Sequence, residues 1–101
     1  MNVRFLEEAS REFLAASDYY DSQQPGLGQR FEEEVDRAVR WLAKQPNVCP
    51  LRRGVYRRLN LNIFPYYIPY VVRGSTLWVV AIAHARRRPE YWIKRARKIT
   101  K

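Results

Sequence analysis

The strongest constraint on the fold is the stretch from residue 64 to residue 84, which can form two consecutive strands. In its first half, aromatic and β-branched residues alternate with period two, as in a strand with two distinct faces. One predicted face holds Phe64, Tyr66, Ile68, Tyr70 and Val72, and the other holds Pro65, Tyr67, Pro69 and Val71. Arg73-Gly74-Ser75 predicts a tight turn, because glycine adopts positive φ freely. The second half, Thr76 to His84, is nearly all apolar, so both of its faces should be covered.

Two details of this hairpin lead to further predictions. Pro65 and Pro69 have the same parity, so both remove a hydrogen-bond donor toward the same neighbouring strand, and the ladder should be weakened on one side only. In the second strand, alternation divides the apolar residues between two faces. One face should hold Leu77, Val79 and Ala81, and the other Trp78, Val80 and Ile82.

The N-terminal half predicts two amphipathic helices that form an αα-hairpin on one face of the sheet. Apolar residues recur at spacings of three and four from Leu6 to Tyr20, and again from Leu27 to Leu42. The first helix should run from Glu7 to about Ser22, and the second from about residues 26–28 to Lys44, with a break between them. The acidic cluster of the second helix is expected mostly on its solvated face; it consists of Glu32, Glu33, Glu34 and Asp36.

The remaining segments complete an α+β fold with the order β-α-α-β-β-β and a short C-terminal helix, in one domain over residues 1–101. Strands are predicted over residues 2–6 and 55–61, and the last three strands should form an antiparallel meander in a mainly antiparallel sheet. Arg57 and Arg58 have opposite parity, so one of them shares the apolar side unless the strand is bulged. Pro89 suits the first turn of a helix over residues 90–99.

Charge is distributed very unevenly along the chain, whose formal net charge is +9. Residues 1–50 carry 6 basic and 9 acidic groups, whereas residues 51–101 carry 13 basic groups and one acid, Glu90. A basic half of this kind predicts a polyanion or an acidic protein as partner. The alternative is a solvated basic surface that serves solubility.

Several classes of function are disfavoured by composition. A lone Cys49 and a lone His84 offer no disulfide and no Cys- or His-based metal site, and one carboxylate in the basic half cannot supply a two-metal nuclease. We therefore expect neither a metal nor another cofactor. No apolar run reaches membrane-spanning length, and the N-terminus does not resemble a signal peptide. A cytoplasmic protein without membrane partners is expected.

The candidate chemistry lies in arginines interleaved with aromatic residues. Arginine binds phosphate in bidentate fashion and aromatic rings stack on bases, so this set could serve a metal-free ribonuclease. The candidate catalytic residues are Arg57, Arg58, Arg87, Tyr91 and His84. The candidate nucleic-acid or target-binding residues are Arg52, Arg53, Arg73, Arg86, Arg88 and Trp92. The structural alternatives are a strand-end histidine bonded to backbone, and Tyr91 and Trp92 docking the last helix on the sheet.

In its ordered combination of motifs, the chain resembles the toxins of the RelE/ParE superfamily, from bacterial type II toxin–antitoxin modules long labelled plasmid stabilisation proteins. The matching segments are a Tyr-Tyr pair followed by QQPGLGQRF, a proline that closes the second helix, FPYYIPY, and the pattern H-x-x-R-x-P-x-x-W. In this chain the last pattern is formed by His84, Arg87, Pro89 and Trp92. The resemblance implies two helices on a small antiparallel sheet, and a cognate antitoxin that forms a hetero-oligomer with the toxin and silences it.

The superfamily divides by target, and the resemblance implies two alternatives. RelE-like members are mRNA interferases that cut mRNA in the ribosomal A site, using sheet arginines, matched here by Arg57 or Arg58, and a tyrosine near the C-terminus, matched by Tyr91. That branch usually has an arginine just after the position of His84, where this chain has Ala85. ParE-like members are inhibitors of DNA gyrase and are not known as nucleases.

Three hypotheses follow. A ribosome-dependent, RNA-binding endoribonuclease requires Arg57, Arg58, Arg87 and Tyr91 to lie together on one exposed concave face. A non-enzymatic gyrase inhibitor, indicated by Ala85 and the overall ParE-like pattern, would inhibit supercoiling as a purified protein. A non-toxic basic nucleic-acid-binding protein would bind any duplex in a salt-dependent way.

Overall fold

A computed structural model describes residues 1–100 and confirms the α+β class. The elements are β1 (Asn2–Phe5), α1 (Glu7–Gln23), α2 (Leu27–Lys44), β2 (Arg57–Asn60), β3 (Tyr66–Arg73), β4 (Thr76–Val79), β5 (Ala83–His84) and α3 (Ile93–Thr100). None of these helices has the length and apolar character needed to cross a membrane.

The sheet has the strand order β1-β4-β3-β2, with β5 also paired to β3. The strands β2, β3 and β4 form the predicted antiparallel meander, in which Val72 pairs with Leu77 across the turn at Gly74. The sequence left the position of β1 open; it lies parallel to β4 at one edge, with Asn2 opposite Thr76. At the other edge, β2 is shorter than predicted and pairs only with β3.

A one-residue bulge interrupts the second strand of the hairpin. Val79 pairs with Tyr70 and Ala83 pairs with Tyr67, so four steps on one strand match three on the other. The bulge lies opposite Pro69, which accepts a hydrogen bond from the Val80 N–H but has none to donate. The extra residue therefore lies where the hydrogen-bond ladder lacks the N–H of Pro69. The predicted single strand over residues 76–84 is therefore divided into β4 and β5.

The bulge also makes part of the face prediction wrong. Leu77 and Val79 face the helical hairpin as expected, but beyond the bulge Ile82 joins them, whereas Ala81 packs on the opposite side with Val80. The prediction for the prolines is confirmed, because the carbonyls of Pro65 and Pro69 accept bonds from Ala85 and Val80, on the same side of β3.

Two cores lie on opposite faces of the sheet. On one face, α1 and α2 pack Ala9, Phe31, Val35 and Leu42 against Ile68 and Tyr70. On the other face, α3 and the turn before it pack Trp92 and Ala96 against Tyr67 and Val71. Because neighbouring residues of a strand point to opposite faces, β3 serves both cores. The predicted alternation along residues 64–72 is thus confirmed.

The backbones of α1 and α2 are in close contact at Gly28. A Cβ atom at this position would lie 2.4 Å from the backbone oxygen of Ser17, so only glycine fits. The Gly28 N–H also donates to the Asp21 carboxylate at 2.8 Å. This contact fixes the crossing of α1 and α2 and lets Tyr20, Phe31 and Phe64 cluster beneath it.

The C-terminal helix begins later than predicted. Glu90 has φ of 56°, in the left-handed region, so residues 89–92 form turns and the helix starts at Ile93. The Glu90 carboxylate accepts hydrogen bonds from Arg53 at 2.7 Å and from the hydroxyl of Tyr56. These bonds hold the strained backbone of Glu90 in place.

Candidate functional site

The carboxylate of Glu12, on α1, holds the C-terminal segment to the rest of the fold. It accepts hydrogen bonds from the Tyr91 hydroxyl at 2.7 Å, from the two terminal nitrogens of Arg95 at 3.0 and 3.2 Å, and from the Ile82 N–H at 3.2 Å. The Arg87 guanidinium lies 3.7 Å from the same carboxylate. We call Glu12, Ile82, Arg87, Tyr91 and Arg95 the Glu12 cluster.

Two of the predicted catalytic residues, Arg87 and Tyr91, belong to this cluster and touch each other. The guanidinium of Arg87 lies over the Tyr91 ring, 3.8 Å from its centroid. Burial of the ring, followed by the hydrogen bond to Glu12, raises the pKa of the Tyr91 phenol well above its ordinary value of 10.0. The hydroxyl is therefore a donor to a carboxylate and does not lose its proton near neutral pH.

Arg58 lies on the α3 side of the sheet. Its guanidinium stacks on Tyr67, 3.7 Å from the ring centroid. The Tyr67 hydroxyl accepts a hydrogen bond from the indole N–H of Trp92 at 3.0 Å, and the Trp92 side chain is fully buried. Trp92 therefore docks the C-terminal segment on the sheet, which was the structural alternative for this residue.

Arg57 points to the opposite face, as its place beside Arg58 in β2 requires. Its guanidinium donates to the backbone carbonyls of Cys49 and Asn47 in the loop after α2. Its strand partner on β3 is Tyr70, whose hydroxyl donates to the Pro46 carbonyl in the same loop. Arg57 thus ties this loop to the sheet.

His84 ends β5 with its ring edge-on to Tyr66, at a centroid distance of 4.9 Å. Its Nδ1 atom accepts a hydrogen bond from the Arg86 N–H at 3.0 Å. This is the contact expected of a strand-end histidine that caps the following turn.

The predicted binding residues are spread around the α3 side and the loops beside it. Arg53 is paired with Glu90, and Arg73 donates to the Ile99 carbonyl at the end of α3. Arg52 forms a single antiparallel backbone pairing with Tyr56. Arg86 and Arg88 are exposed in the loop after β5.

The five predicted catalytic residues therefore do not form one site. Arg87 and Tyr91 are in contact, but Arg57 and Arg58 lie on opposite faces of the sheet, and His84 is bonded within its own turn. The single concave face that an endoribonuclease would require is not formed by these side chains.

Two carboxylates that bind other parts of the fold, those of Glu12 and Glu34, were not predicted from the sequence. Glu12 lies three residues after Ala9 and four before Ala16, both buried, so helical spacing places it on the inner side of α1. Glu34, expected among solvated acids, is only 8% exposed, and one of its oxygens accepts the N–H groups of Asn62 and Ile63. An acid within an apolar stripe is the signal that could have identified Glu12.

Within residues 1–100, no group of three or more His, Cys, Asp or Glu side chains is placed to hold a metal ion.

Comparison with known proteins identifies the family. The model of the ParE toxins of type II toxin–antitoxin systems, parDE, matches residues 3–89. The chain belongs to the ParE toxin family. No curated protein sequence matches it. Among solved structures, a chain of the chromosomal ParDE toxin–antitoxin system from P. aeruginosa superposes with a TM-score of 0.72 and 21% sequence identity, covering 85% of this chain and 97% of that one.

At 21% identity, this structural likeness establishes a shared ParE fold and no more. The matched range includes both helices of the hairpin and the whole sheet, and it ends at Pro89, before α3. The expectation of a RelE/ParE superfamily toxin is thereby confirmed at the level of the family.

Proposed function

We propose that this ParE-family protein is a non-enzymatic inhibitor of DNA gyrase that a cognate antitoxin holds silent. The observation that carries the proposal is that Arg57 is bonded to the loop after α2, on the opposite face of the sheet from Arg58, so the predicted catalytic side chains do not converge. An inhibitor that acts by binding does not need these side chains to converge.

Cleavage of a phosphodiester bond without metal makes stricter demands. It needs a proton-transfer group and phosphate-binding cations within hydrogen-bond reach of the same phosphate. Tyr91 donates to Glu12 and its pKa is raised by burial, so it is poorly suited to act as a base. Arg57 is occupied by the carbonyls of the loop after α2, on the other side of the sheet.

The second candidate function is ribosome-dependent mRNA cleavage, and one observation favours it. Arg87 and Tyr91 lie side by side, and the Arg87 side chain is 57% exposed, so this pair could face a phosphate if the ribosome supplied the remaining groups. In that case Arg87 would bind the phosphate and Tyr91 would act as an acid, and the arginines of β2 would contribute only to binding.

Expression without an antitoxin separates the two functions. DNA and protein synthesis are followed separately by label incorporation after a short induction pulse. Gyrase inhibition predicts that DNA synthesis stops first and that cells filament, whereas mRNA cleavage predicts that protein synthesis stops first. An early stop of protein synthesis that is lost in Arg87→Ala would overturn the gyrase proposal. Harmless expression at high level would contradict both.

A further inference from the structure

Cations are concentrated on the outer surface of α3, a region that the function proposed above does not use. Lys94, Arg97 and Lys98 are all exposed at spacings of three and four, opposite the buried Ala96. None of the three forms an ion pair with any residue in the described range 1–100. They therefore form one solvent-facing stripe along a helix about 12 Å long.

Further cations extend this stripe at both ends. Arg58 lies near the start of α3, because it stacks on Tyr67, which is bonded to Trp92. Arg73 lies at the other end, where it donates to the Ile99 carbonyl. Arg88 is exposed in the loop that leads to the helix. We call this surface the α3 face; it consists of Arg58, Arg73, Arg88, Lys94, Arg97 and Lys98.

Little negative charge opposes the α3 face. Glu90 is the one acid after residue 50, and its carboxylate is already bonded to Arg53 and Tyr56. The other nine acids all lie on α1 and α2. Of these, Glu12 reaches Arg95 of α3, and Glu34 accepts the N–H groups of Asn62 and Ile63. The acidic groups therefore lie mainly on the helical hairpin, and the α3 face on the other side of the sheet is basic.

We propose that the α3 face binds the backbone of duplex DNA independently of sequence. The inference extends the proposed function, because gyrase acts on duplex DNA and a toxin with its own DNA contact would be held at that substrate. Duplex DNA presents one charge per about 1.7 Å of axis, so a 12 Å helix faces roughly seven phosphate charges. Arginine and lysine at helical spacing can neutralise several of them.

The aromatic rings beneath α3 argue for a duplex and against single-stranded nucleic acid. Stacking of bases requires exposed rings. Here Tyr56, Tyr67 and Trp92 are at most 5% exposed and pack against one another beneath α3. A lipid surface fits less well, since Ile93 and Ile99 are half-buried against the sheet and α3 presents no apolar face to solvent.

Salt dependence of binding tests the inference on the full chain without gyrase. A fluorescently labelled 24-bp duplex is titrated with protein by anisotropy between 50 and 300 mM KCl. With about five phosphate contacts, log K should fall with log[KCl] at a slope of about −4.5. The triple substitution Lys94→Gln, Arg97→Gln and Lys98→Gln should make the slope shallower by about 2.7 and weaken binding roughly 500-fold at 0.1 M salt.

A matched control carries the same change in net charge on the other layer. Arg30, Arg37 and Lys44 are exposed on α2 and form no ion pair within residues 1–100, so replacing all three with glutamine should leave DNA binding almost unchanged. Urea unfolding of each variant confirms that it is folded.

Four results would overturn the inference: no duplex binding at 50 mM KCl, an equal loss in both triple variants, tighter binding to a 24-residue thymidine oligonucleotide, or binding to phosphatidylserine vesicles but not DNA. Because gyrase is absent, each of these leaves the gyrase proposal standing. Failure of the gyrase proposal likewise leaves the measured DNA affinity unaffected.

Discussion

Replacing Glu12 with glutamine should destabilise the protein more than any exposed charge change on the same helix. The Glu12 side chain is 16% exposed, and its carboxylate accepts four hydrogen bonds, two of them from Arg95, whose side chain is only 22% exposed. Glutamine keeps one acceptor oxygen but leaves the half-buried guanidinium without its counter-charge. Hydrogen bonds to charged groups are worth about 1.5–3 kcal/mol each, so we expect a loss of about 3 kcal/mol.

Urea unfolding at pH 7, followed by far-UV circular dichroism, measures this loss. About 3 kcal/mol in a domain of this size corresponds to a fall in Tm of roughly 12–24 °C. The matched control is Asp18→Asn, which removes the same charge from an exposed position of α1 and should change stability by less than about 0.5 kcal/mol. Equal stabilities of the two variants would show that the Glu12 cluster does not hold the C-terminal segment.

Three further predictions concern other positions. Gly28→Ala should cost about 3 kcal/mol of unfolding free energy, because its Cβ would lie 2.4 Å from the Ser17 carbonyl oxygen; unchanged stability would refute the close helix contact. The hydrogen bond from Arg53 lowers the pKa of Glu90, so Glu90→Gln should be less stable than wild type above pH 4.5 and equal to it once the pH falls through that lowered pKa; a difference that persists in acid would contradict this. Tyr91→Phe should leave growth inhibition intact, whereas loss of toxicity in this folded variant would favour mRNA cleavage.

Much of the fold was predictable because hydrophobic periodicity is a local signal. The parity of residues 64–72 assigned side chains correctly to the two cores, and the spacing in residues 6–42 located the helical hairpin. The shared parity of Pro65 and Pro69 correctly predicted that both missing donors lie on the same side of the strand. These features depend on neighbours along the chain and on no distant contact.

The errors arose where a distant partner decides the local structure. The missing N–H of Pro69 is accommodated by an extra residue on the opposite strand, which moved Ile82 to the other face. Glu90 has positive φ while Arg53 and Tyr56 bind its carboxylate, and α3 starts only after this turn. Pro69 is distant in sequence from Ile82, and Arg53 and Tyr56 are distant from Glu90.

The candidate site was predicted less well for a related reason. Arg57, Arg58 and Arg87 were predicted to form one site with His84. In the structure, Arg57 and Arg58 point to opposite faces of the sheet, and Arg87 lies beside the Glu12 carboxylate. Residue type identified side chains that bind anions. It did not indicate that the carboxylates of Glu12 and Glu90 bind some of these arginines within the folded chain.

The most direct test of the central claim is a supercoiling assay with purified components. Relaxed plasmid, DNA gyrase and ATP are incubated with increasing amounts of the protein, and plasmid topology is read on a gel. A parallel reaction contains ribosomes and a defined mRNA, and its cleavage is read by primer extension. We predict dose-dependent loss of supercoiling with intact mRNA; full supercoiling at large protein excess together with cut mRNA would contradict the account.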